Sequence, residues 1–334
     1  MNEKKENKND RSFNHSQETK NIINDLIKDY GQGVATTLEG SENKSSEKMI
    51  STGSLILDQA IGGGYVAGRI IEIYGQESSG KTTLALHAVR ECQKAGKKAV
   101  YIDLENCLKT DYAESIGVDK EDLIIIYPKY GEEALDIVSR LVTNEKVGMI
   151  VVDSVAALIP KAELEGDLEK QTIGLKARIM SSALAKINNS LTGKNAIVIF
   201  INQIRNKITT YGNPETTTGG IALSYYASLR IKLKVKEKIE KGGEVIGIKT
   251  TAIIKKNKLA SPYKEPALEI IFGQGVIKQR EIIDLAVEKN IMQKGGNWYS
   301  YKDEKLGNGK ENVTEYLLKN KDTFSKIEKE LINK

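Results

Sequence analysis

The chain has 334 residues, 40% of them hydrophobic and 28% charged, with a formal net charge of +5, a balance that fits a globular protein with room for one large domain and a small one. No apolar run approaches the ~18 residues of a membrane helix, and the polar start MNEKKENKND lacks a signal-peptide pattern, so no membrane association and a cytoplasmic location are expected. Cys92, Cys107, His15 and His87 stand alone, without the spacing of a zinc site or the makings of a histidine-based triad.

Residues 1–16 are rich in Asn, Lys and Glu and read as a disordered tail. In residues 17–30, Ile22, Ile23, Leu26, Ile27 and Tyr30 fall on one helical face, which needs a surface to pack on. This helix and a polar linker fill 17–49. Residues 50–276 alternate apolar runs with helical patterns, the signature of an α/β fold with a mostly parallel central sheet. Strands are expected at 70–74, 99–103, 123–127, 148–153, 196–202, 227–236 and 249–256. Two stretches, 161–174 and 206–220, lack any core pattern and read as long functional loops. Residues 277–334 turn helical and charged around the aromatic GGNWYSYKDEKLGNGK, a small separate C-terminal domain of α+β type.

The strongest chemical signal is GQESSGKT, residues 75–82, which fits G-x-x-x-x-G-K-[ST]. The buried-strand run IIEIY precedes it. A helix follows, with Leu84, Ala85, Ala88, Val89 and Cys92 spaced three and four apart. In such a strand–loop–helix, Gly75, Gln76, Glu77, Ser78, Ser79 and Gly80 wrap phosphates, and the helix N-terminus adds its partial positive charge. Lys81 would reach the β- and γ-phosphates, and the Thr82 hydroxyl would ligate Mg²⁺.

MIVVDSVAAL, residues 149–158, is an apolar strand ending in Asp153, the pattern of a carboxylate that holds Mg²⁺ through water. YIDLE, residues 101–105, ends another strand in Asp103 and Glu105. Either could orient an attacking water, and either could cap the next helix. IFINQIR, residues 199–205, carries Gln203 at a strand end, where it can sense a γ-phosphate and pass the signal to the next loop. That loop, NKITTYGNPETTTGG, sits beside Arg205 and contains Lys207, which suits close approach to a nucleic-acid backbone. Arg230, Lys232, Lys234, Lys236 and Lys238 alternate with Ile231, Leu233 and Val235, and read as the solvated basic face of a strand.

These strings, together with ISTGSLILD, VVDSVAALIPKAELEG, GNPETTTGG and KNKLASPYK, resemble the bacterial RecA recombinase family. The likeness is dense from about residue 50 to 285 and weaker to about 331. It implies a RecA-type P-loop NTPase core using ATP and Mg²⁺, and a DNA-dependent ATPase. Such a protein forms filaments on single-stranded DNA, pairs it with homologous duplex DNA and exchanges strands in recombinational repair. Stimulated self-cleavage of a LexA-type repressor in the SOS response is implied as well.

By the same resemblance Ser79, Gly80, Lys81, Thr82 and Thr83 bind phosphates and Mg²⁺, Glu105 rather than Asp103 is the catalytic carboxylate, and Asp153 serves the metal. Gln203 links ATP to the second loop, Tyr112 stacks on adenine, and Lys256 and Lys258 reach a neighbour's ATP across the filament interface. Arg178, Ser181, Arg205, Lys207, Thr216, Thr218, Gly219 and Gly220 match DNA contacts, and Ile173 and Ile208 match residues that enter between bases. The N-terminal helix matches the segment that docks on the adjacent protomer.

Departures from the family pattern are Gln76 for a proline, Lys109 for an adenine-contacting aspartate, and Ala185 and Ile221 for an arginine and an asparagine that contact DNA. No acidic block precedes Lys334, and Lys294, Lys302, Lys305 and Lys310 beside Trp298, Tyr299 and Tyr301 read either as a patch that captures duplex DNA or, with Asp303 and Glu304 among them, as a solvated surface. Two rivals stay open: a P-loop kinase acting on a small acceptor, and a DNA-coating filament without catalysis.

Overall fold

The computed structural model describes residues 3–37, 48–166, 174–206 and 215–333. The chain divides into two units, Met1–Lys48 and Met49–Lys334. In the first, helix α1 runs over Glu3–Tyr30 and ends before Gly31, which takes a left-handed φ of 94°. It begins well upstream of Gln17, so the tail read as disordered is helical from Glu3 onward. Its Glu and Lys residues favour a helix, and no Gly or Pro interrupts them. Ile22, Leu26 and Tyr30 on the apolar face stay exposed, at 62%, 39% and 73%.

The second unit opens with β1 (Met49–Ile50), α2 (Leu55–Ile61) and β2 (Tyr65–Val66), then β3 (Ile70–Gly75), α3 (Lys81–Lys94), β4 (Lys98–Asp103), α4 (Thr110–Ile116) and β5 (Leu123–Ile126). It continues through α5 (Gly131–Leu141), β6 (Val147–Asp153), the short α6 (Lys161–Glu165), α7 (Leu175–Leu191), β7 (Ile197–Asn206), β8 (Glu215–Thr217) and α8 (Ala222–Tyr226). Long antiparallel strands β9 (Leu229–Lys241) and β10 (Glu244–Asn257) follow, then β11 (Ala267–Ile271) and β12 (Gly275–Val276). The C-terminal part holds α9 (Lys278–Glu288), the strands β13 (Met292–Gly295), β14 (Trp298–Tyr301) and β15 (Glu304–Asn308), and helices α10 (Lys310–Lys319) and α11 (Lys321–Asn333).

The central sheet has the order β12-β11-β10-β9-β3-β7-β6-β4-β5. From β9 to β5 every neighbouring pair is parallel; from β9 to β12 the pairs are antiparallel. Alternation along the strands builds a core on each face. Ile71, Ile73, Tyr101 and Ile199 pack with Leu84, Leu86 and Val89 of α3. Ile70, Ile102 and Phe200 pack with Leu135 and Val138 of α5 and Met180 and Leu184 of α7. The carboxyl ends of β3, β4, β6 and β7 therefore meet at one edge, where open parallel sheets bind ligands.

Both patternless loops contain structure that single-sequence patterning missed. β7 continues to Asn206 because the returning β8 pairs with it, Arg205 opposite Thr216, and α6 lies inside the earlier loop. In the C-terminal part, GGNWYSYKDEKLGNGK supplies β14, β15 and the turns of an antiparallel β13–β14–β15 sheet. This part has its own small sheet and apolar cluster, and it also makes contacts with α2. Its apolar cluster (Ile282, Tyr299, Val313, Leu317) takes in Leu55 and Ile56 of α2. The Glu281 carboxylate accepts from Ser54 Oγ at 2.5 Å and Leu55 N at 2.7 Å.

Candidate functional site

The strand–loop–helix around Lys81 places β3 at the middle of the sheet and aims the N-terminus of α3 at the loop. Gly80 has φ 94°, and a Cβ there would sit 2.2 Å from Ile270 Cδ1, so only glycine fits the turn into α3. Gln76, Glu77 and Ser78 face solvent, so the Gln76 side chain does not disturb the loop. The Gln76 carbonyl accepts from Lys81 Nζ at 2.7 Å and from Ser79 Oγ at 2.8 Å, which holds the ammonium over the loop. Burial lowers the Lys81 pKa, while Asp153, Glu105 and Glu77 oppose the shift.

Next to this loop, Asp153 Oδ2 at the end of β6 accepts from Thr82 Oγ1 at 2.9 Å and Tyr101 Oη at 2.6 Å. A hydroxyl beside a carboxylate is a hard-oxygen donor pair that suits Mg²⁺, an ion usually completed by phosphate and water oxygens. Among the described residues no group of three or more His, Cys, Asp and Glu side chains converges on a metal. The Thr82–Asp153 pair would fill only part of such an ion's shell. Burial raises the Asp153 pKa, and the Tyr101 and Thr82 hydrogen bonds counter it.

The two carboxylates of YIDLE differ in surroundings. Asp103 is buried and accepts from the backbone N–H groups of Glu105, Cys107 and Leu108 at 3.0–3.3 Å, so it shapes the loop. Glu105 is exposed, and its Oε1 accepts from Ser154 Oγ and, at 3.5 Å, from Gln203 Nε2. A pocket of about 210 Å³ is lined by Ser78 to Thr83, Tyr112, Ile270 and Phe272. The Tyr112 hydroxyl lies 2.5 Å from Thr83 Oγ1. Sequence reasoning passed over Tyr101, Ser154, Ile270 and Phe272. The last two belong to β11 and the turn after it, far along the chain, and carry no local signal.

Arg178, Ser181 and Ala185 are exposed and follow at helical spacing along one face of α7. Arg205 is exposed at the end of β7, and Thr216 is half-buried in β8. Gly219 and Gly220 take left-handed φ values of 84° and 80°. A Cβ on Gly219 would lie 2.8 Å from Val155 Cγ1, and one on Gly220 2.9 Å from Ala177 Cβ, which brings the loop exit down on α7 and the turn after β6. Thr218 is buried, with its hydroxyl donating to Asn202 Oδ1 rather than facing outward. Ile173, Lys207 and Ile208 lie outside the described residues.

Lys256 Nζ donates to Ser224 O and Tyr225 O at the end of α8, both at 2.8 Å, while Lys258 is exposed. Burial, then the neighbouring Lys258 and Arg230, lower the Lys256 pKa. The basic strand face is only partly solvated. Lys234, Lys236 and Lys238 are exposed, but Arg230 pairs with the buried Glu72 of β3 and Lys232 pairs with Glu215 of β8.

In the C-terminal sheet, Lys294 lies over Tyr299, Lys302 over Tyr301 and Lys305 over Trp298, at 5.3, 4.9 and 5.6 Å. Lys310 is not part of that patch. Its ammonium is 3.0 Å from Glu269 and 2.6 Å from Asp284, where it bridges the main sheet to the C-terminal helices.

Fold and site together define an α/β protein with a glycine loop and a helix N-terminus at the carboxyl edge of a mostly parallel sheet. The family model described as RecA N-terminal domain matches residues 17–277, and that described as RecA C-terminal domain matches 280–334. Protein RecA of Mesoplasma florum is 49% identical over 308 residues, 92% of each chain. Protein RecA of Bacillus subtilis is 46% identical over 311 residues, 92% of this chain and 89% of its own. Protein RecA of Lactiplantibacillus plantarum is 47% identical over 304 residues, 90% of this chain and 80% of its own. The chain belongs to the RecA family.

Proposed function

We propose that this chain is an ATP-dependent DNA recombinase of recombinational repair. It assembles into filaments on single-stranded DNA, pairs that strand with a homologous duplex and exchanges strands. Membership of the RecA family supports the broad function in DNA recombination and repair. The single observation that carries the catalytic reading is the convergence of Lys81, Asp153, Glu105 and Gln203 at one sheet edge, beside a glycine loop and a helix N-terminus.

On this reading Lys81 leaves the Gln76 carbonyl to meet β- and γ-phosphate oxygens, since a charged oxygen is the stronger acceptor. Thr82 and Asp153 would hold Mg²⁺, whose positive charge would be available to the phosphoryl oxygens. Glu105 orients the attacking water, with Ser154 and Gln203 fixing its carboxylate. Tyr112 supports the base. Lys256 and Lys258 complete the site of a neighbouring protomer, for which Lys256 must release the α8 carbonyls. Arg178, Ser181, Arg205, Lys207, Thr216, Gly219 and Gly220 contact DNA, with Ile173 and Ile208 entering between bases. Stacking and backbone contacts hold the strand without sequence preference. Stimulation of LexA-type repressor cleavage by the filament belongs to the same proposal.

The deciding assay is ATP hydrolysis with and without single-stranded DNA. Hydrolysis that rises steeply with DNA supports the recombinase. Turnover indifferent to DNA would favour a small-molecule kinase, and DNA coating without turnover a structural filament.

A further inference from the structure

Beneath the carboxyl edge lies a set of buried polar residues that the proposed chemistry does not use. Glu72 of β3 and Asn202 of β7 are fully buried, and Thr218, at the exit of the 206–220 loop, is 9% exposed. Asn202 Nδ2 donates to Glu72 Oε1 at 3.0 Å and to Thr218 O at 3.1 Å. Its Oδ1 accepts from Thr218 Oγ1 and from the backbone N–H of Gln203 at 2.9 Å. A primary amide offers two donors and one acceptor oxygen with two lone pairs, so every valence of Asn202 is engaged.

The network has two ends. Glu72 Oε2 accepts from Arg230 Nε at 2.5 Å, and that guanidinium lies 4.8 Å from the ring of Tyr74, the residue before Gly75. At the other end, Thr218 leads into Gly219 and Gly220, which pack on Val155, Met180 and Ala177. Gln203 hangs from the middle by its own N–H while its side chain reaches Glu105. A saturated polar network in a low-dielectric interior admits one arrangement, because a partial shift would strand a buried donor or acceptor.

We propose that Asn202, with Glu72 and Thr218, is a positioning residue that locks Gln203 and the loop exit into one unit, so that a displacement at either is transmitted to the other. The inference rests on the preceding reading, in which nucleotide meets Gln203 and DNA meets the 206–220 loop. It also gives Thr218, a DNA contact by family resemblance, a different role, that of anchoring the loop rather than touching the strand.

The test uses the full chain, a fluorescent oligo-dT strand and anisotropy, with Mg²⁺ and salt fixed. The readout is the ratio of Kd for the strand with ADP to Kd with a non-hydrolysable ATP analogue. For the wild type we expect a ratio of about tenfold or more, within the range of ordinary allosteric coupling. Asn202→Ala should bring the ratio to within about twofold of one, with analogue affinity in the absence of DNA changed by less than about twofold. Thr218→Val, which deletes the hydroxyl at nearly constant volume, should act likewise. Thr218→Ser should keep the wild-type ratio, and the Asn202→Ala/Thr218→Val double variant should fall no further than either single.

A wild-type ratio in Thr218→Val, or in a folded Asn202→Ala, overturns the inference. Should Asn202→Ala fail to fold, Thr218→Val decides alone. A wild type whose own ratio is one would overturn the functional reading itself, and this inference with it.

Discussion

At the scale of single residues, neighbours with similar chemistry have separate roles. Lys81 lies over the glycine loop, whereas the Glu105 carboxylate accepts from Ser154 and Gln203. Lys81→Ala should therefore abolish nucleotide-dependent assembly on DNA. Glu105→Gln should keep ATP binding and form long-lived complexes while hydrolysis falls roughly 100-fold or more. Wild-type turnover in Glu105→Gln, measured by phosphate release, would move the water-orienting role elsewhere. His87, on the face of α3 that meets β12, is a separate case. Its Nε2 accepts from Val276 N at 2.7 Å, its buried Nδ1 has no partner among the described residues, and burial, then Arg90, push its pKa down to about 3. The unfolded chain takes up this proton near the ordinary histidine value and the folded chain does not. Its contribution to stability is thus lost as pH falls from about 6.5 towards 3, by up to about 1.4 kcal/mol per pH unit. Denaturant titrations across that window should show a shallower slope for His87→Gln than for the wild type, and equal slopes would refute the assignment.

At the scale of elements, the C-terminal sheet separates lysines that the chain places side by side. Lys294, Lys302 and Lys305 cover aromatic rings of β14, while Lys310 is locked between Glu269 and Asp284. If the sheet captures duplex DNA, changing the first three to Ala should weaken duplex binding and flatten its salt dependence by about 0.9 per lost phosphate contact. Single-strand binding should be spared. Lys310→Ala should instead lower the melting temperature and leave the salt slope unaltered, because removing it leaves Glu269 partly buried with Arg280 as its remaining partner. A slope that responds to Lys310 as strongly as to the other three would return it to the patch.

At the scale of the whole molecule, the proposed site draws Lys256 and Lys258 from a neighbouring copy. The helix α1 carries an exposed apolar face, and Lys256 is held on α8 within its own protomer. Lys256→Ala/Lys258→Ala should leave nucleotide binding by the free protein intact and remove DNA-stimulated hydrolysis. Mixing it with Lys81→Ala should restore part of the activity, since some interfaces then receive both intact halves. Hydrolysis that stays at the level of the separate variants at every mixing ratio would exclude a shared site.

Periodicity and short motifs alone specify the parallel α/β core, the β3–loop–α3 unit and the strand ending at Asp153. Each depends on local spacing: apolar alternation, glycines at a turn, a carboxylate closing a β-branched run. Spacing could not separate Asp103 from Glu105, two carboxylates at the end of one strand. Only the folded loop turns the first inward onto three backbone N–H groups and leaves the second facing Gln203. The same holds for Arg230, Lys232 and Lys310, which read as surface cations until distant carboxylates arrive beside them. Glu72 and Asn202 stand out in the chain merely as polar letters in apolar strands. Their partners lie 130 residues apart in one bond and 16 in the other. A buried polar group takes its meaning from whichever donor or acceptor the tertiary fold brings to it.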